Sequence, residues 1–321
     1  MSQRIAPAAA LFLFFAPIAF SQNPEPPADA AKKKAPDPKS VVYDEKADAK
    51  ADIAAALARA KRDNKRVLIQ WGANWCSWCK LLHASLQSDK EIAKAIFYEY
   101  EVVRVDVGGF DKNLDLAASF GAKLKESGIP YLTLLDADGK ALANQDTGSF
   151  ELADKQKPGH DRAKILDLLA KNQAPQLDAQ KALDSALARA QSEKKRVFLH
   201  FGAPWCGWCR TLEAWLAEPL VATALAKDFI DVKIDIDRMK GGADVQARFP
   251  QSKEAGIPWF AILDGDGKTL SDSGSGQNNI GFPAKDEEIS RFIAMLEASR
   301  KSLTAEDLAA IRKSLVARQA K

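Results

Sequence analysis

The sequence predicts an α/β protein built from two tandem domains, on three observations. Apolar strand-like runs alternate with helix-like runs through most of the chain. The chain also repeats itself at an offset near 130 residues: Ala56-Leu57-Ala58-Arg59-Ala60 returns as Ala186-Leu187-Ala188-Arg189-Ala190, Lys65-Arg66-Val67 as Lys195-Arg196-Val197, and Gly128-Ile129-Pro130 as Gly256-Ile257-Pro258. Two copies make a duplicated domain rather than a solenoid. Finally, Trp75-Cys76-Ser77-Trp78-Cys79-Lys80 returns as Trp205-Cys206-Gly207-Trp208-Cys209-Arg210, and these two stretches hold all four cysteines.

The 321 residues suffice for two ordinary domains, and a hydrophobic content of 46% is that of a chain with real cores. A net charge of +3, from 46 basic and 43 acidic residues, leaves no phosphate-neutralising surface, so nucleic acid is not an expected partner. Residues 1–21 read as an export signal: Arg4, an apolar run over 8–20, then Ala19 and Ser21 placed three and one before a cut at Gln22. The run is shorter than the roughly 20 residues of a spanning helix and carries Pro17, so no stable membrane insertion is expected after cleavage. The expected location is exported, periplasmic or extracellular. Cysteines used only as two Cys-x-x-Cys pairs in an exported chain serve chemistry rather than scaffold bracing.

Residues 22–40 are rich in Pro, Ala and Lys and read as a solvated linker. The first domain is expected over 41–172. It opens with a helix over 48–63, where Ile53, Leu57 and Ala60 recur at helical spacing, and continues with a strand over 67–71. The cysteine pair follows at a helix start, then a strand over 102–107, a loop at Gly108 and Gly109, and a short helix over 114–120. Gly-Ile-Pro precedes another strand, an Asp-Gly hairpin turn at Asp138-Gly139, a last strand and a helix over 161–171. The second domain repeats this order over 175–299. Its Asp264-Gly265-Asp266-Gly267 reads as a turn and not a calcium loop, because Ser275 stands where the twelfth-position Glu is required. Residues 300–321 form a helical extension. Thr304 and Asp307 give it a capping-box-like start, and Leu308, Ile311 and Leu315 give it one apolar face expected to dock on the protein.

Trp-Cys-x-x-Cys after the first core strand, with Ile-Pro before a later one, resembles the thioredoxin family. More narrowly, it is similar to exported thioredoxin-like proteins with a Trp-Cys-x-Trp-Cys centre. The resemblance covers nearly all of the chain after residue 40 and implies, for each domain, a central mixed β-sheet flanked by helices. It further implies a thiol-disulfide oxidoreductase of reductase or isomerase type, with protein thiols and disulfides as substrates and an external electron donor or acceptor as partner. Cys76 and Cys206 would attack, Cys79 and Cys209 would resolve, and no cofactor or metal is called for. Pro130 and Pro258 would be cis prolines that, with Ile129 and Ile257, offer backbone to an extended substrate. Trp75 and Trp205 would shield the thiol and give substrate an apolar platform.

The physics agrees with the first assignment, because a thiol facing the free amides of a helix start is favoured as thiolate. Two departures from the family stand out. Its buried Asp, six residues before the first cysteine, is replaced by Gln70 and His200. Gln70 cannot titrate; His200 can exchange a proton near neutral pH or can serve as a hydrogen-bonded core residue, and both readings stay open. Trp78 and Trp208 replace a common proline, with packing on the helix as the competing role, and Lys80 and Arg210 read as solvated helix residues. Two other classes compete with the oxidoreductase: a zinc or copper(I) thiolate site, and a redox-silent peptide-binding or chaperone module. Haem attachment fails because Lys80 and Arg210 stand where histidine is needed.

Overall fold

The computed structural model describes residues 41–154, 156–274 and 278–319. The expected export signal and linker lie outside them. Among the described residues no helix is long and apolar enough to cross a membrane.

In the first half, helix α1 (Ala49–Asp63) starts where Asp48 accepts the Lys50 and Ala51 amides at 3.0 and 3.1 Å, and it ends where Asn64 turns left-handed at φ 50°. Strand β1 (Arg66–Gly72) leads into α2 (Ser77–Ser88), which is followed by α3 (Lys90–Glu99) and strand β2 (Tyr100–Asp106). Short helices α4 (Leu114–Ser119) and α5 (Leu124–Ser127) precede strands β3 (Tyr131–Leu135) and β4 (Ala141–Asp146), and α6 (Arg162–Asn172) closes the unit. The sheet order is β2-β1-β3-β4, with β1 and β2 parallel and the other pairs antiparallel, so the sheet is mixed.

The second half repeats this with α7 (Ala179–Ser192), β5 (Arg196–Gly202), α8 (Gly207–Leu216), α9 (Pro219–Leu225), β6 (Phe229–Asp235), α10 (Gly242–Ala247), α11 (Pro250–Ala255), β7 (Trp259–Leu263), β8 (Thr269–Asp272) and α12 (Asp286–Ser299). Its sheet order, β6-β5-β7-β8, is the same.

Period-two alternation along the central strand decides what lies beneath each cysteine helix. Val67, Ile69 and Trp71 pack with Ala56 and Ala60 of α1, whereas Leu68 packs with Leu82 and Leu86 of α2. Gln70, two residues on from Leu68, therefore shares the face covered by α2. By the same alternation His200 shares with Phe198 the face covered by α8, while Val197, Leu199 and Phe201 face α7.

Four helices were not read from the sequence: α3, α5, α9 and α11. Helix α3 starts at Asp89, whose carboxylate accepts the Glu91 and Ile92 amides at 3.0 Å, and α9 has Pro219 in its first turn. The terminal helix α13 (Ala305–Gln319) docks as its apolar face implies: Leu308, Ile311 and Leu315 are buried with Phe292 and Leu296 of α12. Asp228 fastens the connection to it by accepting the Lys301, Ser302 and Leu303 amides at 2.7–2.9 Å. Trp215 of α8 donates its indole N–H to Ser314 Oγ at 2.9 Å. One continuous core thus joins the second cysteine helix to α13.

Candidate active site

Each cysteine pair straddles a helix start. Cys76 is the N-cap of α2 with extended backbone, and its Sγ accepts the Cys79 amide at 3.1 Å; Cys206 caps α8 in the same way, also at 3.1 Å. A side-chain acceptor at an N-cap satisfies one of the helix's orphan amides, and sulfur does so here. Both pairs are disulfide-bonded, with Cα atoms 5.3 and 5.2 Å apart. Cys76 and Cys206 keep a slight opening to solvent (6% and 5%), whereas Cys79 and Cys209 are enclosed (0% and 1%). On reduction, the same amides and helix dipole favour a thiolate on the first cysteine.

The Gly-Ile-Pro loop of the first half lies against the Cys76 sulfur. Ile129-Pro130 and Ile257-Pro258 are cis, and the Ile129 carbonyl oxygen is 3.7 Å from Cys76 Sγ. The proline carbonyls are held from behind, Pro130 by the Thr147 hydroxyl and Pro258 by the Asn279 amide at 2.9 Å. Trp75 and Trp205 stand open to solvent at 63% and 40%. The Trp75 indole donates to the Gly108 carbonyl at 2.7 Å, and that of Trp205 to Asp237 Oδ2 at 2.7 Å. Trp208, 61% exposed, stacks on Phe282 at 6.1 Å and 12°, so it is not packed on the inner side of its helix. Trp78 is half-buried and meets His160 edge-on at 5.4 Å. Neither ring nitrogen of His160 has a hydrogen-bond partner, and burial pushes its imidazole down to about 4, so it is neutral at pH 7.

Beneath the enclosed cysteines the two halves differ. In the first, Tyr43 reaches in from the segment before α1: a Cβ at Gly72 would collide with the Tyr43 hydroxyl and approach Cys79 Sγ to 3.0 Å. The Tyr43 side chain is fully buried, and desolvation pushes its phenol far above the ordinary tyrosine range. Two hydrogen bonds to Asn74 Oδ1, from the Val42 and Tyr43 amides at 2.9 and 3.0 Å, hold this strap in place. Gln70 lies on the strand below and directs its amide toward the Cys79 carbonyl at 3.5 Å. In the second half, the group beside the corresponding glycine is a carboxylate. A Cβ at Gly202 would lie 3.0 Å from Glu213 Oε1 and 3.7 Å from Cys209 Sγ. Glu213 Oε2 accepts from Lys233 Nζ at 2.7 Å, and both groups line a cavity of about 430 Å³ with His200 and Asp231. His200 is buried and turns Nε2 toward Asp231 Oδ1 at 3.3 Å.

The structure therefore places each predicted cysteine pair at a helix start after its exposed tryptophan, and in the first half brings the Ile129-Pro130 loop to Cys76. Sequence reasoning missed Tyr43, Glu213, Lys233 and His160. Glu213 carried a signal: it stands four residues after Cys209, on the apolar helix face that also holds Leu212 and Leu216. Tyr43 carried none, being separated from Cys79 by a whole helix and strand. Among the described residues no group of three or more His, Cys, Asp or Glu side chains is placed to hold a metal ion.

Comparison with known proteins agrees with this geometry. The chain is 28% identical over 191 residues to protein disulfide-isomerase erp38 of Neurospora crassa, covering 56% of this chain and 46% of that protein. It is 29% identical over 99 residues to disulfide bond reductase DsbH of Chlamydia pneumoniae, covering 28% and 57%. The chain thus spans about half the length of the curated relatives it matches. A solved structure titled disulphide isomerase, from Xylella fastidiosa Temecula1, is 38% identical, with 41% of this chain and 97% of that one covered at a TM-score of 0.36. The thioredoxin-like family model matches residues 48–137 and 178–265, one region in each half and together more than half the chain. With a mixed sheet, a sulfur-capped helix and a cis Ile-Pro loop in each matched region, the chain belongs to the thioredoxin-like family.

Proposed function

We propose that the protein is a thiol-disulfide oxidoreductase with two redox centres, acting on disulfides of exported polypeptides. The observation that carries this is the pair of capping sulfurs: Cys76 and Cys206 each accept an amide at a helix start and keep the only solvent opening of their pair. A sulfur so placed attacks as thiolate. The export signal read over residues 1–21 and the names of the relatives support the compartment and substrate class.

In the reducing direction, the Cys206 thiolate attacks a substrate disulfide, forms a mixed disulfide and releases one substrate thiolate. Cys209 then loses its proton and attacks Cys206 Sγ. The second substrate thiolate leaves, and the Cys206–Cys209 disulfide closes. Two electrons pass from the centre to the substrate, and an external dithiol must return them. The Ile129-Pro130 loop, which borders Cys76 Sγ, and its cis counterpart Ile257-Pro258 offer backbone to the substrate strand, with Trp75 and Trp205 as apolar platforms. Glu213 is our choice to take the Cys209 proton, because its Oε1 shares Gly202 with that sulfur.

Brief alkylation of the reduced protein with mass mapping tests the assignment, and Cys76 and Cys206 should be labelled first. Labelling of Cys79 and Cys209 first, or no exchange with insulin or scrambled ribonuclease, would contradict it.

A further inference from the structure

We propose that Phe97 and Tyr98, at the end of α3 in the first half, form part of the polypeptide-binding rim of the Cys206–Cys209 centre. The second centre then selects its substrate with both halves of the chain. This rests on the oxidoreductase reading above. One carboxylate oxygen makes the join: Asp237 Oδ2 accepts from the Trp205 indole at 2.7 Å and lies 3.4 Å from the Tyr98 hydroxyl. The tryptophan that precedes the attacking cysteine is therefore positioned by a group that also meets the other half.

A second contact lies on the opposite side of the motif. Arg210, which directly follows Cys209, donates to the Pro204 carbonyl and places its guanidinium 5.3 Å from the Phe97 ring centroid. Phe97 is held in turn by Lys65, whose ammonium lies 5.8 Å from the ring and donates to the Phe97 carbonyl at 2.8 Å. The ring is nonetheless 44% exposed, and Trp205 beside this junction is 40% exposed. Two open aromatic faces from different halves thus border one redox centre. A cysteine-bearing polypeptide in extended form, linked to Cys206 as a mixed disulfide, can cover both.

The junction is fixed rather than incidental. Arg238, mostly buried, donates to Glu99 at 3.1 and 2.8 Å and to the Asp63 and Asn64 carbonyls, both at 2.8 Å. It therefore ties the residues that follow Asp237 to the end of α3 and the end of α1. At the first centre, among the described residues, Trp75 is bonded to Gly108 and the ring beside it is Phe110 of the same half at 6.2 Å.

The test uses the full chain with Cys76→Ser, Cys79→Ser and Cys209→Ser, so that only Cys206 reacts. The rate of mixed-disulfide formation is measured with an activated cysteine-containing peptide and with the small disulfide 5,5′-dithiobis(2-nitrobenzoate). Phe97→Ala with Tyr98→Phe should slow the peptide reaction about two- to tenfold, the fold-change worth of one aromatic contact, and leave the small reagent within about twofold. Arg238→Ala, which releases the clamp without touching the rim, should reproduce this selective loss. Equal loss with both reagents assigns the residues to the reactivity of the thiol and overturns the proposal, as does no loss with either. A parent chain that reacts with the small reagent but not with the peptide overturns the oxidoreductase reading, and this inference with it.

Discussion

The two cysteine centres match in front and differ behind. In front, each has a capping sulfur 3.1 Å from the amide of its partner cysteine, an exposed tryptophan before the motif and a cis Ile-Pro loop. Behind, Cys79 packs with Tyr43, whose phenol is neutral at all ordinary pH, whereas the Glu213 carboxylate paired with Lys233 stands by Gly202, the glycine that Cys209 also borders. On the proposed function, the two halves share the geometry of nucleophilic attack and differ in the handling of the second cysteine's proton. A helix start favours the thiolate in either copy, but only a titratable neighbour can take the proton from the enclosed thiol.

The largest expected effect is the separation of the centres. Cys76→Ser should end disulfide exchange at the first centre and Cys206→Ser at the second, each leaving the other active, and insulin reduction by the single and double variants checks this. If one single variant abolished all turnover, the centres would be working in series and the comparison would fail.

Next in size is Glu213→Gln, an isosteric change that removes the base. Resolution of the mixed disulfide by Cys209 should slow about 10²-fold, the usual worth of positioned acid-base assistance, in stopped-flow measurements with the first pair silenced. Tyr43→Phe at the first centre should change resolution by less than about threefold, because a phenol with so high a pKa has no proton-accepting role near neutral pH. A large loss from Tyr43→Phe would erase the contrast between the halves.

The docked extension sharpens the comparison on the side of stability. Ile311→Ala removes a fully buried side chain from the core shared by α12 and α13, and should destabilise the second half by about 2–5 kcal/mol in urea unfolding. The half that carries no such extension should keep its own midpoint.

A smaller effect belongs to the first half alone. Burial holds His160 at about 4, below its unfolded value, so the unfolded chain binds the proton first as pH falls. Stability is therefore complete above about pH 6.5 and declines as pH falls from there to 4, by roughly 1–3 kcal/mol from this residue. His160→Gln should flatten that decline when urea unfolding is compared at pH 7 and pH 5.

Much of this molecule was legible in its sequence, for identifiable reasons. The repeat of Gly-Ile-Pro and Trp-Cys-x-Trp-Cys marked both centres because each signature is a run of adjacent residues and recurs in phase with the other. Val67 to Trp71 read as a strand because its run is apolar but for Gln70, yet Ile92 and Ile96 of α3 were passed over between two stronger signals. What lies behind the cysteines was not legible, since it depends on tertiary approach. Gly72 and Gly202 looked like ordinary strand ends, and only the folded chain shows that a phenol crowds one and a carboxylate the other. His200 drew attention as the titratable residue on the central strand, while Glu213 sat one helical turn past Cys209 in plain view.

The most direct test of the central contrast is the rate of mixed-disulfide resolution at each centre, measured in the full chain with the other pair changed to serine. Glu213→Gln should slow resolution by Cys209 about 10²-fold, while Tyr43→Phe should leave resolution by Cys79 within about threefold. Equal effects at the two centres, or a Cys209 rate unchanged by Glu213→Gln, would contradict the contrast.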